Sequence, residues 1–428
     1  MYRSSALSRI KAAYSKSTLA RFLSYTGPAL IVSMAYMDPG NYGTDIQGGA
    51  AFGYTLLWVV WLASGMAMLL QYLSGKLGIA TERSLPEIIR EKFRNKKMYV
   101  LPYWLAAEAA AAATDLAEYL GTVIALNLLF GVPLIYAAIF GALDVIIILT
   151  LTSRKFRILE QLFVLFVSVI TFGYIYELFV TQPDAASIAY HSITPSFAGS
   201  QQAILIAVGV IGATVMPHAL FIHSSLTKDK AEGKSLEEKR RMRKFHLIEN
   251  IALLTIAGIV NASIMIMSAA AFFPNNSDIS SISEAYKTLV PLFGTAAGVI
   301  FLVTLLSSGI ASSVTGTLSG QAIMEGLLGK KVNIWVRRFI TRFVNVVPTT
   351  IAILLGLDPL SILVYSQVVL SLMIPLPMIP LVILTRSKAL MGEFVNKRIT
   401  TLIAIASVGI ILAFNTYLII STFFNLGQ

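Results

Sequence analysis

The sequence predicts an all-α membrane protein of eleven spans, two of which are broken midway. Three observations predict it. Apolar residues make up 56% of the 428 and charged residues only 13%, with a mean hydropathy of +0.75; a soluble chain carries about a quarter charged residues. The apolar residues gather into stretches of about the 20 residues that a helix needs to cross a bilayer. Two stretches are interrupted, by Asp38-Pro39-Gly40-Asn41 and by Met216-Pro217-His218, and a helix cannot carry its backbone ladder unbroken through such residues.

The spans fall near 24–50 (broken), 52–76, 99–129, 132–152, 157–180, 200–227 (broken), 246–273, 289–328, 333–356, 359–385 and 399–424. Their direction follows from Lys and Arg, which accumulate on the cytoplasmic side. Arg3, Arg9, Lys11, Lys16 and Arg21 lie in the N-terminal tail, and the connections after spans 2, 4, 6, 8 and 10 with the adjoining span ends hold 27 more. Of the 33 basic residues only Lys287 falls on the other side. The N-terminus is therefore expected in the cytoplasm and the C-terminus outside. One missed span would scramble this division.

The loops are short, so residues 1–428 are expected to form a single multi-pass domain whose surroundings are the lipid bilayer. The loop 181–200 has no Lys or Arg, and the basic stretch 228–244 reads as an amphipathic helix on the inner face. Residues 1–20 are polar and basic and the first apolar stretch runs on as a full span, so no cleavable signal is expected. The net charge of +11 lies between spans and follows no nucleic-acid-binding motif, so a nucleic acid partner is not expected. The absence of cysteine excludes disulfides, thiolate metal sites and Fe–S clusters. With no HExxH, G-x-S-x-G or P-loop, the chain does not read as an enzyme. Nothing in the sequence sets an oligomeric state. Short termini without organelle-targeting features favour a bacterial plasma membrane.

The first broken span starts inside. The second comes five spans later and starts outside, so the halves are inverted relative to each other. The expected repeats are 22–180 (helices 1–5) and 198–386 (helices 6–10), with helix 11 at 396–425 as an addition. Paired breaks in inverted halves mark a midplane binding site, which is the plan of the LeuT-type fold.

The break chemistry suits a cation. Unwinding frees backbone carbonyls and turns the Asp38 carboxylate and the Asn41 amide oxygen, both hard ligands, toward one point. A carboxylate inside a span is costly and usually marks function. In the second break Met216 offers a thioether, and Pro217 frees the carbonyl of Ala213 four residues earlier because proline has no N–H. A thioether disfavours Ca²⁺ and Mg²⁺ and suits softer ions. Mn²⁺ and Fe²⁺ are natural candidates. On span 3, Glu108, Asp115 and Glu118 are spaced to share one helical face, a plausible proton path. Arg337 and Arg338 at the start of span 9 are potential partners. His218 and His223 on span 6 can exchange protons near neutral pH.

These residues resemble a known family. GPALIVSMAYMDPGNYGTDIQGGAAFGY is similar to the first span of the Nramp divalent-metal transporters and IGATVMPHALFIHSS to their sixth. ASSVTGTLSGQAIMEGLL at 311–328 resembles their transport motif, and TDLAEYLGTVIALNLLFG at 114–131 their third span. The resemblance covers essentially the whole chain. It implies proton-coupled uptake of Mn²⁺ or Fe²⁺, with Co²⁺ and Cd²⁺ as further cargo and no resident cofactor. It implies ligation by Asp38, Asn41, Met216 and the Ala213 carbonyl, with Gln367 as an accessory contact. Asp115 and Glu118 match acidic residues of the family's proton pathway, the span 9 arginines match its basic partners, and His218 is proton-linked. Tyr42 departs from the pattern, where Trp or Phe is more usual, with consequences for packing or the outer gate. A Mg²⁺ carrier of the same fold would lack the methionine. An organic-solute symporter would need a small, glycine-rich first break where this chain has Asp38, and a channel would need no paired breaks. Asp144, Glu160, Glu249 and Asn250 are polar groups within spans without an assigned role.

Overall fold

The computed structural model describes residues 27–93, 97–143, 156–197, 199–275, 279, 282–356 and 359–424. Among these the chain is helical, with no strand. Helices α1 (Pro28–Ala35) and α2 (Pro39–Phe52) form the first broken segment, and the turn Gly53–Leu56 joins α2 to α3 (Leu57–Thr81). Then come the short α4 (Leu85–Lys92), the long α5 (Lys97–Phe130), α6 (Leu134–Ala142), α7 (Phe156–Thr181) and α8 (Ala185–Ile193). The second broken segment is α9 (Gln201–Val215) and α10 (Pro217–Ala231), followed by α11 (Leu236–Phe272), α12 (Ile282–Phe293) and α13 (Thr295–Leu328). The described chain ends with α14 (Ile334–Leu354), α15 (Pro359–Met373), α16 (Pro375–Thr385), α17 (Lys388–Met391) and α18 (Arg398–Phe424).

Eight of the described helical stretches are long and apolar enough to cross a membrane. The three other expected spans have physical reasons to fall short. The first is split, and its second half runs on through α3 as one stretch, Pro39–Thr81. Span 4 is described only over α6, and Asp144 and the Glu160 side chain lie outside the described residues. Helix α14 carries Arg337, Arg338 and Arg342, all buried.

Some expected boundaries move. The basic stretch 228–244 is not one amphipathic helix. It is divided between the end of α10 and the start of α11, because Gly233 takes φ 69° and Ser235 with Glu238 forms a capping box that starts a new helix. The expected span 289–328 is cut at Gly294 (φ 89°). Span 10 is interrupted at Ile374, where Pro375 opens α16.

Backbone groups freed by the first break are caught by side chains from other helices. Asn261 Nδ2 on α11 donates to the Tyr36 carbonyl at 2.9 Å, and Ser308 Oγ on α13 donates to the Met37 carbonyl at 2.5 Å. At the start of α1, Glu249 Oε1 accepts the Gly27 N–H at 2.5 Å, which gives Glu249 an anchoring role. Asn250 Nδ2 donates to the Met68 carbonyl at 2.8 Å and ties α11 to α3. Non-helical backbone inside a membrane protein survives only where such partners exist.

Close approach of backbones then brings the breaks together. A Cβ at Gly49 would lie 2.5 Å from the Met265 carbonyl, so α2 packs directly on the α11 backbone. Gly212 on α9 lies against the Gln367 carbonyl of α15 with no room for a methyl group. Small residues at such crossings let membrane helices approach.

This packing makes a paired prediction. Gly212→Ala should destabilise the purified protein by about 1–3 kcal/mol through overpacking. Gly65→Ala, where nothing lies within 4 Å of the added carbon, should leave stability unchanged or slightly raised. Thermal unfolding in detergent reads both; equal midpoints for the two variants would refute the contact.

Candidate metal site

Asp38 has extended backbone (φ −90°, ψ 164°) and caps α2, its Oδ1 accepting the Asn41 backbone N–H at 2.9 Å. A carboxylate there also faces the positive end of the helix dipole. Asn41 Nδ2 donates to the same Oδ1 at 2.7 Å and reaches the Tyr36 carbonyl at 3.2 Å. It also reaches across to the second break, donating to the Ala213 carbonyl at 3.3 Å. That carbonyl is the one Pro217 leaves without its helical partner. Thr214 Oγ1 donates to Asn41 Oδ1 at 3.3 Å. One asparagine therefore ties the two breaks together.

Met216 is the whole linker between α9 and α10. Its φ of 33° is unusual for a side-chain-bearing residue, and such conformations persist where the surroundings impose them. Its side chain is buried in the same apolar cluster as Met37 and Tyr42. Gln367 on α15 lies with its side-chain amide against Gly40, where a Cβ would come 2.8 Å from Oε1. Its Nε2 donates to Ser366 Oγ at 2.9 Å, while Oε1 has no partner. Asp38 Oδ2 is also buried without a hydrogen bond. Asp38, Asn41, Ala213, Met216 and Gln367 are all wholly buried.

The free acceptors at this point are chemically mixed. Asp38 Oδ2 is open, Asn41 Oδ1 keeps a lone pair beyond its bond from Thr214, and the Met216 sulfur belongs to the neighbouring break. Among the described residues no three His, Cys, Asp or Glu side chains gather as a metal-binding group. The break supplies one carboxylate, and its other donors are an amide, a carbonyl and a thioether.

The carboxylates of α5 separate into two kinds. Glu108 accepts from Arg337 Nη2 at 2.8 and 3.0 Å. Asp115 is ion-paired with Arg338, and Arg342 stands 3.7 Å away. Glu118 is different: it is wholly buried and neither oxygen is bonded. It lies against Gly316 of α13, where a Cβ would come 2.8 Å from Oε2.

Both histidines are tied to this region. His218 Nδ1 lies 3.0 Å from Thr114 Oγ1, next to Asp115 in sequence. His223 Nδ1 lies 2.8 Å from Gln71 Oε1, and Gln71 Nε2 donates to the Tyr36 hydroxyl at 2.8 Å. His223 also packs its ring edgewise on His246, with centroids 4.8 Å apart.

Sequence reasoning missed several residues. Arg342 follows Arg338 by one helical turn, which spacing could have flagged. Asp45 lies seven residues after Asp38 on the same face of α2, and both of its buried oxygens lack partners. An acidic residue within a span was its available signal. Thr114, Gln71 and Asn261 act through contacts between helices, and the sequence carried no sign of them.

A mostly helical chain with two broken helices meeting at a buried polar point defines a multi-pass membrane transporter. Its relatives agree. The family model described as "Natural resistance-associated macrophage protein-like" (Nramp) matches residues 29–421. The chain is 44% identical over 402 residues to the divalent metal cation transporter MntH of Granulibacter bethesdensis, covering 94% of this chain and 89% of that one. It superposes with a TM-score of 0.85 on the manganese transporter of Eremococcus coleocola, at 32% identity, covering 96% and 90% of the two chains. A more distant likeness, to the nucleobase-cation-symport-1 family transporter MHP1 (TM-score 0.57, 13% identity, 92% of each chain), concerns the fold alone. The chain belongs to the Nramp family, with the LeuT-type fold.

The contrast along α5 is testable. Asp115→Asn leaves buried guanidinium groups without their counter-charge and should cost about 3–5 kcal/mol. Glu118→Gln removes a charge that bonds nothing and should leave stability unchanged or raised. Chemical or thermal unfolding in detergent distinguishes them; equal losses would mean that Glu118 is part of the same structural pair network.

Proposed function

We propose that the chain is a secondary active symporter that imports divalent transition-metal ions, Mn²⁺ and Fe²⁺ foremost, together with protons. The observation that carries this reading is the Asn41 side chain, which bonds Asp38 of one break and the Ala213 carbonyl of the other. It joins the Asp38 carboxylate, its own amide and the Ala213 carbonyl at one buried point, and Met216, the buried linker of the second break, supplies the thioether of the proposed site. That mixture suits a borderline ion over Mg²⁺ or Ca²⁺. The relatives, a divalent metal cation transporter and a manganese transporter, support a divalent metal cargo.

The arrangement also supports the transport plan. Helices α1 to α7 make the first repeat and α9 to α16 its inverted counterpart, with α18 added. The division of the basic residues supports an N-terminus in the cytoplasm and a C-terminus outside. Metal enters from outside and sheds water. Asp38, Asn41, Ala213 and Met216 hold it, with Gln367 poised beside Gly40. Glu118, unpaired and buried, is the carboxylate free to carry a proton, and the Arg338–Asp115 pair lies one turn away on α5. His218, through Thr114, joins this stripe to the second break. Rocking of the halves about the breaks then opens the inner side.

The test is Mn²⁺ uptake into proteoliposomes with internal pH recorded, for the intact chain and for Met216→Ala, with Ca²⁺ and Mg²⁺ as competitors. The intact chain should show saturable uptake with acidification and little inhibition by Ca²⁺. Met216→Ala should lose about tenfold or more of that discrimination, as expected when a soft ligand is removed. Flux indifferent to Met216 would sink the thioether site, and absence of Mn²⁺ flux would sink the cargo.

A further inference from the structure

On the side of the first break toward which α2 runs, a second set of buried oxygen groups has no stated use. Tyr42 lies one helical turn beyond Asp38. Its ring meets that of Tyr174 on α7 edge-on, with centroids 5.6 Å apart at 65°, and that of Phe301 on α13 at 6.4 Å. Tyr174 lies three residues before Glu177 on the same face of α7. The ring contact sets the Tyr42 and Tyr174 side chains together, and Thr304, one turn from Phe301 on α13, donates to the Phe301 carbonyl at 2.7 Å and packs against Gly173 of α7. Yet the Tyr42 and Tyr174 hydroxyls and both Glu177 oxygens close no hydrogen bond of good geometry. All three side chains are almost wholly buried.

Buried polar atoms are nearly always bonded, and those that are not call for water or an ion. A buried carboxylate with neither oxygen partnered is costlier still. Here four such atoms, the two Glu177 oxygens and the two phenol hydroxyls, are carried by α7 and by α2 one turn beyond Asp38, whose Oδ2 is also open. Gly173, whose absent side chain leaves room for Thr304, lets α7 and α13 approach.

We propose that Glu177, Tyr174, Tyr42 and Thr304 form a second cation site, which takes the incoming divalent ion before it reaches the break. This rests on the proposed metal-transport function and its orientation, which put the Glu177 end of α7 on the outer side. The donors are all oxygen, so the site accepts a hard, partly hydrated divalent ion and does not select for softness. Selection is left to Met216. The aromatic contact of Tyr42 with Tyr174 covers the site in this conformation, and its parting admits the ion. The carboxylate draws the ion in and the hydroxyls replace part of its water.

The test measures initial rates of Mn²⁺ uptake against concentration in proteoliposomes for the intact chain, Glu177→Gln, Glu177→Asp and Tyr42→Phe, with thermal unfolding of each protein as the fold control. Glu177→Gln should raise KM for Mn²⁺ about tenfold and keep the maximal rate within about twofold, the pattern of lost capture with unchanged turnover. Glu177→Asp should recover part of the loss, and Tyr42→Phe should raise KM by a smaller factor. Discrimination against Ca²⁺ should not change in any of them. An unchanged KM, a fall in maximal rate alone, or an Asp variant no better than the Gln variant overturns the site. If Glu177→Gln unfolds, Tyr42→Phe alone decides, because it removes a hydroxyl and keeps the ring. Absence of uptake by the intact chain would instead overturn the transport reading itself.

Discussion

Every backbone polar group inside a membrane protein must find a partner within the protein. That constraint governs the centre of this molecule. A helix broken at Asp38-Pro39-Gly40 exposes the carbonyls of Tyr36 and Met37, and a helix broken at Met216-Pro217 exposes that of Ala213. Asn261, Ser308 and Asn41 supply the missing donors. Asn41 matters most, because its single amide group satisfies carbonyls on both sides of the gap. The break is thereby a defined structure, and its remaining acceptors are left over from a nearly complete account. Asp38 Oδ2 is open because Oδ1 already takes two bonds from Asn41.

Close packing follows from the same need. Donors can reach the freed carbonyls only if their helices lie near the break. Gly49 lets α2 sit on the backbone of α11, and Gly212 lets α9 sit on that of α15. Gln367 shows the coupling: its backbone touches Gly212 of one broken segment and its side chain touches Gly40 of the other. A shift of α15 would therefore be felt at both breaks. The apolar cluster that contains Met37, Tyr42 and Met216 surrounds these contacts and keeps water from competing for the carbonyls.

The legibility of this centre in the sequence depended on how local each signal was. Asp38, Asn41 and Met216 stand close to prolines inside apolar stretches, so a helix breaker and a candidate ligand coincide within a few residues. Ala213 follows from Pro217 by the four-residue step of the helical ladder. The division of basic residues yields an expected set of spans and an expected direction, and it carries no sign that 228–244 is parted by Gly233 or that Ile374 interrupts span 10. Glu249 reads in sequence as an unexplained charge and proves to hold the N–H of Gly27, 222 residues away. Asn261, Thr114 and Gln71 are ordinary polar residues by composition. Their meaning lies in which helix packs opposite, and no spacing along one helix contains that information.

The carboxylates inside the helical bundle are of two kinds. Ion pairs in a low-dielectric interior are held hard when complete, and breaking one leaves an uncompensated charge. Glu108 and Asp115 are so held, by Arg337 and by Arg338 with Arg342 beside it. Such groups fix geometry and are poor carriers, because moving their charge means separating a pair. Asp38, Glu118 and Glu177 are wholly buried, more so than Glu108, with at least one oxygen bonded to nothing. A group in that state is stabilised by whatever cation or proton arrives, and destabilised again when it leaves. The molecule thus sorts its acidic residues by partnership: paired ones hold α5 against α14, and unpaired ones are left without a counter-charge at and around the first break.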